Sequence, residues 1–130
     1  MIVLDASVAI ELLRRSSVGR RFEVRLADDA PSLHAPHLLG VEVLQGMRRL
    51  AAVGAVTADR GAQAVRRLSE LDLTLHPHER FLPRVWELRD NLTAYDAVYV
   101  ALAEALDAPL LTLDARLANA PGHRAEVEML

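Results

Sequence analysis

The sequence predicts an α/β fold in which a parallel sheet is covered by helices on both faces. Short apolar runs at residues 2–4, 32–35, 73–75 and 109–113 alternate with stretches of helical periodicity. The runs show little polar alternation, as expected of strands buried on both sides rather than one. A chain of 130 residues with 52% hydrophobic content can bury a core without staples, and no repeat, linker or low-complexity segment divides it. One domain spanning residues 1–130 is therefore expected.

The elements follow in order. Ile2, Val3 and Leu4 form a strand ending in Asp5, and Ser7 is expected to cap a helix carrying Val8, Ile10, Leu12 and Leu13. A second helix, around residues 18–26, stops at Asp28, Asp29, Ala30 and Pro31. After the strand at 32–35, Pro36 is expected to open a helix running to about Gly54. Thr57 caps a helix through Leu71, a strand follows at 73–75, Pro77 makes a turn, and residues 79–89 read as helical despite Pro83. Thr93 caps the most apolar helix, residues 94–106, and the strand at 109–113 ends at Asp114. A last short strand is expected near residues 126–129.

Composition removes several function classes. The absence of cysteine excludes disulfides, zinc–thiolate sites and a thiol nucleophile, and suits a reducing compartment, so a cytoplasmic location is expected. The N-terminus carries no basic region, and the longest apolar run, residues 97–103, is far short of the ~20 residues that span a bilayer. Neither secretion nor membrane insertion is expected. Net charge is −3 and all 15 basic residues are arginine, which is not the basic excess of a general nucleic-acid binder. The doublets Arg14-Arg15, Arg20-Arg21, Arg48-Arg49 and Arg66-Arg67 can meet phosphates bidentately or simply form solvated helix faces. No glycine-rich phosphate-cradling motif is present.

Four carboxylates stand out. In open α/β sheets, ligands bind beyond the carboxyl ends of the strands, where Asp5 and Asp114 fall. Either acid alone is equally explained as a helix N-cap. On the helix at 94–106, apolar nearly all round, only Asp96 and Glu104 interrupt the hydrophobic surface. A carboxylate buried there needs a partner, and a divalent cation would hold it ionised; a favourable place in the helix's first turn is the alternative for Asp96. Glu42 lies at the border of a polar arc with Gln45 and Arg49, where an ordinary exposed acid would also sit. Acidic oxygens converging at a sheet edge would form a hard-ligand site for Mg²⁺ or Mn²⁺, suited to phosphodiester hydrolysis.

The histidines give weaker signals. His34 with His37, and His76-Pro77-His78, lack the spacing of a transition-metal site, and His123 reads as a solvated loop residue. Tyr95 and Tyr99 read as packing residues.

Together, the opening Ile2-Val3-Leu4-Asp5-Ala6-Ser7, the segment Val41-Glu42-Val43-Leu44, the helix beginning Thr93-Ala94-Tyr95-Asp96-Ala97, and Leu111-Thr112-Leu113-Asp114 resemble the PIN-domain family, above all its VapC toxin ribonucleases. The resemblance implies a flavodoxin-like three-layer fold with about five parallel strands. It implies an acidic quartet, Asp5, Glu42, Asp96 and Asp114, binding Mg²⁺ or Mn²⁺, with Ser7 and Thr112 as supporting hydroxyls. It further implies an endoribonuclease leaving 5′-phosphate and 3′-hydroxyl ends, the toxin of a type II toxin–antitoxin system, with RNA as substrate, a VapB-type antitoxin as partner, and a homodimer. A response-regulator receiver and a haloacid-dehalogenase-like phosphatase are set aside, because each would need a lysine that this chain lacks and the phosphatase an aspartate at the position of Ser7. The remaining alternative is a PIN-fold module that binds antitoxin or RNA without cutting.

Overall fold

A computed structural model describes residues 1–130. Five strands, β1 (Ile2–Leu4), β2 (Leu33–Pro36), β3 (Leu73–His76), β4 (Leu110–Thr112) and β5 (Val127–Met129), form one sheet in the order β3-β2-β1-β4-β5. All four pairings are parallel. Seven helices connect or flank them: α1 (Ala6–Leu13), α2 (Ser17–Asp29), α3 (Leu39–Ala52), α4 (Ala58–Glu70), α5 (Leu82–Glu87), α6 (Ala94–Leu106) and α7 (Ala115–Ala118). The doubly wound plan is the flavodoxin-like one expected. Its strand order differs from the 2-1-3-4-5 of flavodoxin itself, and the reversal falls between β1 and β4.

The three layers follow from the two-residue period of the strands. Ile2, Leu4, Leu33 and Leu111 pack with Val8 and Leu12 of α1 and Phe22 of α2. Val3 and Leu110, on the opposite face, join a larger cluster that includes Tyr99, Leu102 and Ala103 of α6. Ala97 through Ala103 are all buried, so α6 is apolar nearly all round because it is a core helix. Thr93 caps it as expected, accepting from the Asp96 amide at 3.2 Å.

Glu104, the other acid interrupting α6, has its own partners. The Arg84 guanidinium donates to both its oxygens, at 2.8 and 2.9 Å, and the Arg124 amide donates at 2.8 Å. Its side chain is only 5% exposed, and the Arg84 hydrogen bonds hold its carboxyl at about 2 against the opposing effect of burial.

The N-cap of α1 is Asp5, not Ser7: Asp5 Oδ1 accepts from the Ala6 amide at 2.8 Å, and Ser7 lies inside the helix. Pro36 ends β2 instead of opening α3, because residues 33–36 pair with β3 along their full length. Residues 79–89 split into a 3₁₀ turn, Glu79–Phe81, and the short α5, with Pro83 in its first turn. His123 is not solvated: both its ring nitrogens are buried and take no hydrogen bond from the chain.

Gly19 lies where α2 starts against the end of α1, and a Cβ there would strike the Glu11 carbonyl. Gly19→Ala should lower the unfolding free energy by about 1–3 kcal/mol, measured by urea denaturation. Glu104 contributes stability that is fully present above its ordinary carboxyl range near 4.5 and is lost as pH falls through about 2. Acid unfolding of Glu104→Gln should lack this component, which is on the order of 3 kcal/mol at neutral pH, since each tenfold change in proton affinity is worth ~1.4 kcal/mol.

Candidate active site

The sheet order places the carboxyl ends of β1 and β4 side by side, in the register Leu4↔Leu111. Each strand is followed by an acid that caps the next helix. Asp5 caps α1, and Asp114 caps α7 by accepting from the Arg116 amide at 2.8 Å. Both acids thus perform the capping role that their sequence positions suggested, and they do so at the reversal point of the sheet.

Asp5 is buried and fixed from three sides. Besides the Ala6 amide, the hydroxyls of Ser7 and Thr112 donate to Oδ2 at 2.5 and 2.8 Å. Thr112 Oγ1 accepts from the Asp114 amide at 3.0 Å, and Ser7 Oγ accepts from the Leu113 amide at 2.9 Å. One network therefore joins β1, α1 and the turn after β4. A carboxylate offers about four lone-pair positions, so Asp5 keeps one after these three bonds.

Glu42 comes from the first turn of α3 and is half-buried, not freely exposed. Tyr99 OH donates to its Oε2 at 2.6 Å. Burial raises the Glu42 carboxyl above its ordinary range; the tyrosine hydrogen bond opposes this, and the charges of Asp5 and Asp96 add to it. The Tyr99 phenol is pushed well up, first by burial and then by Glu42, and so stays protonated as the donor. From sequence Tyr99 reads as a packing residue; a buried tyrosine three residues beyond Asp96 is the signal that could have pointed to this bond. Tyr95, also read as packing, is 63% exposed.

Asp96 is raised as well, by burial first and then by Asp5 and Asp114, with Thr93 and Arg116 acting the other way. Asp114 lies below its ordinary value: burial works to raise it, but the Arg116 amide and guanidinium outweigh that. Arg116, whose own side chain is 94% exposed, is the cation these acids share from the chain. The couplings bring Asp5, Glu42 and Asp96 into one electrostatic neighbourhood, with Asp114 joined through Asp96. As arranged, no three acids or histidines close on one point at metal-holding distance. The histidine pairs meet across β2 and β3: His34 Nδ1 is 3.0 Å from His76 Nε2, and His78 Nε2 accepts from the Leu38 amide at 2.9 Å. Burial lowers both His34 and His76.

The chemistry of the donor set fits a hard divalent cation. Every donor is a carboxylate oxygen, and two half-buried members, Glu42 and Asp96, are disfavoured as anions by burial and by neighbouring carboxylates, a penalty that a cation held among them would reverse. In the absence of divalent cations the raised Asp96 carboxyl should cost stability at neutral pH, with the cost shrinking as pH falls toward its pKa. Thermal unfolding in EDTA should therefore find Asp96→Asn more stable than wild type at pH 7, by about 0.5–2 kcal/mol, with a smaller gap in acid. A less stable variant would show that Asp96 serves the fold.

A PIN domain family model matches residues 2–122. Ribonuclease VapC9 of Mycobacterium tuberculosis is 42% identical over 119 residues, covering 92% of this chain and 90% of that protein. Ribonuclease VapC12 of the same species is 38% identical over 130 residues, covering 100% and 99%. The crystal structure of VapBC2 from Rickettsia felis, bound to a DNA fragment from their promoter, superimposes with a TM-score of 0.71 over 100% of this chain and 99% of that one; at 14% identity it shows a shared fold. The chain belongs to the PIN domain family and, within it, to the VapC group.

Proposed function

We propose that residues 1–130 work as one PIN domain that cuts RNA internally, a VapC-type endoribonuclease and the toxin of a type II toxin–antitoxin pair. The observation that carries this reading is the gathering of Asp5, Glu42 and Asp96 at the sheet's reversal point, the latter two half-buried, with the exposed Arg116 the cation that acts on Asp96. Two relatives named ribonucleases, at 42% and 38% identity over nearly the whole chain, support RNA as substrate.

Asp5, Glu42, Asp96 and Asp114 would hold Mg²⁺ or Mn²⁺. When bound, such a cation lowers the pKa of a water and offsets the charge that builds on a phosphate during hydrolysis. The chain's own residues supply position. Ser7 and Thr112 lock the Asp5 carboxylate in one orientation, and Thr112 ties it to the backbone before Asp114. Tyr99 holds one oxygen of Glu42 and leaves the other free of protein hydrogen bonds. A side chain fixed in this way loses little freedom when the ligand arrives. The products would carry 5′-phosphate and 3′-hydroxyl ends.

The neighbour from Rickettsia felis is a toxin–antitoxin complex, and we take a VapB-type antitoxin as the partner here. Exposed Val41 and Leu44 flank Glu42, and exposed Tyr95 adjoins Asp96, giving such a partner an apolar rim beside the acids. We also take the chain to act in the cytoplasm as a homodimer; no helix is long and apolar enough to cross a membrane.

A second reading, a PIN module that pairs with antitoxin or RNA without cutting, draws on the capping roles of Asp5 and Asp114 and on the spacing of the acids. One experiment separates the two. Purified chain is incubated with total cellular RNA in Mg²⁺, Mn²⁺ or EDTA, beside Asp96→Asn, and new 5′-phosphate ends are mapped. Discrete cuts that need both the metal and Asp96 are expected. Cutting that survives EDTA or the substitution would overturn the metal-centre reading, and folded wild type that binds Mn²⁺ yet cuts nothing would support the binding module.

A further inference from the structure

Both α1 and α3 run away from the acidic edge, and at their far ends a cavity of about 830 Å³ opens against α4. Five arginines line it, Arg14, Arg15, Arg60, Arg66 and Arg67, against a single acid, Glu70. In a chain of net charge −3 this is a strong local excess of one sign. Two of the arginine doublets, far apart in sequence, are brought together here by the packing of α1 against α4.

Two of these guanidiniums are not used by the fold, and the other three are used sparingly. Arg14 pairs with Glu11 at 3.4 Å, Arg15 reaches Glu23 only at 3.8 Å, and Arg67 gives one donor to the Leu13 carbonyl at 3.0 Å. The Arg60 and Arg66 guanidiniums make no ion pair or hydrogen bond within the chain; Arg60 enters only through its amide, which donates to Thr57. Arg60 also stands in the first turn of α4, where the helix dipole disfavours a cation. The N-caps of α2 and α4, Ser16 and Thr57, line the same cavity, so the positive ends of two 13-residue helices add to the arginines. A solvated helix face explains one doublet; it does not explain unpaired arginines converging on a cavity with two helix N-termini.

We infer that this cavity docks the phosphate backbone of single-stranded RNA at a distance from the bond being cut, an inference that rests on the ribonuclease reading above. Without a bound cation the edge of carboxylates repels a polyanion, and a cation held there acts only on the phosphate beside it, so the rest of the strand needs attraction from elsewhere on the surface. Arg14 is nine positions beyond Asp5 on the same helix, about 13 Å at 1.5 Å per residue, a span that a few nucleotides cover. Guanidinium forks suit phosphate oxygens bidentately. The cavity would thus set affinity and register along the strand while the acids perform the cut.

The test measures RNA binding without cleavage. In an Asp96→Asn background with EDTA, a labelled mixed-sequence single-stranded RNA is titrated by fluorescence anisotropy at stepped KCl concentrations. Arg60→Gln/Arg66→Gln should bind about tenfold more weakly, and its slope of log affinity against log salt should shrink by about 1.4, because each phosphate left without its arginine takes ~0.7 from the slope. Arg80→Gln/Arg89→Gln, an equal change of charge at exposed positions remote from the cavity, should keep the parent's slope. Unchanged affinity and slope in the Arg60/Arg66 variant, with a melting temperature like the parent's, would overturn the inference. So would binding of poly-glutamate that is lost in that variant while RNA binding is kept, which would assign the cavity to an acidic protein segment. With the acids intact, the Arg60/Arg66 variant should raise KM for long RNA at unchanged kcat. A fall in kcat alone would overturn a docking role, whereas failure of wild type to cut any RNA, with the variant's loss of binding intact, counts against the ribonuclease reading and not against the docking site.

Discussion

Thr112 donates its hydroxyl to Asp5 across the seam between β4 and β1, and with the same oxygen it accepts from the Asp114 amide. The threonine is wholly buried, so both bonds must be made or the fold carries unsatisfied polar groups, at about 1–3 kcal/mol each. This places the side chain of one acid and the backbone of another in a fixed relation before any ligand is present. The seam exists because the chain reverses direction there: β1 to β3 build outward on one side, and β4 returns to pair with β1 on the other. A parallel sheet with this order cannot avoid gathering the turns after β1 and β4, and each turn carries an aspartate, Asp5 directly after β1 and Asp114 two residues after β4.

Helix α6 shows how differently one core treats two acids. Glu104 is enclosed and paired with Arg84 and Arg124, and its carboxyl is held low. Asp96, two turns earlier, faces Asp5 and Asp114 and is held high. The first arrangement serves the fold; the second costs stability and is sensible where a cation is to be received, because groups with perturbed ionisation cluster at functional sites. Tyr99 lies between them on the same helix and anchors Glu42, so α6 contributes one acid and orients another.

The strands and helices were legible because burial imposes period and composition. Runs such as Leu110–Thr112 lack polar alternation, and Ala94–Leu106 is apolar around nearly its whole circumference. Asp5, Asp114 and Asp96 were visible as acids at strand ends or on a buried helix. Glu42 was not, on physics alone: it is half-buried and met by Tyr99 of α6, a tertiary contact that no local pattern encodes. The bond from Tyr99 to Glu42, the pairing of His34 with His76, and the meeting of Arg14 and Arg15 with Arg60 and Arg66 are likewise products of tertiary packing. At α1 the misjudged cap has a local cause: Asp5 and Ser7 are both good N-cap residues, and the earlier one claimed the free amide while Ser7 turned back to support it.

The proposal that the acids at the sheet's reversal point act together as a cation-binding centre is tested most directly by calorimetric titration of Mn²⁺ into the purified chain. Saturable binding is predicted for wild type and for Asp28→Asn, an exposed acid outside the cluster, with affinity falling at least about tenfold in Asp5→Asn and in Asp96→Asn. Equal Mn²⁺ affinity in all four proteins, or no binding by folded wild type, would contradict a metal centre at this edge.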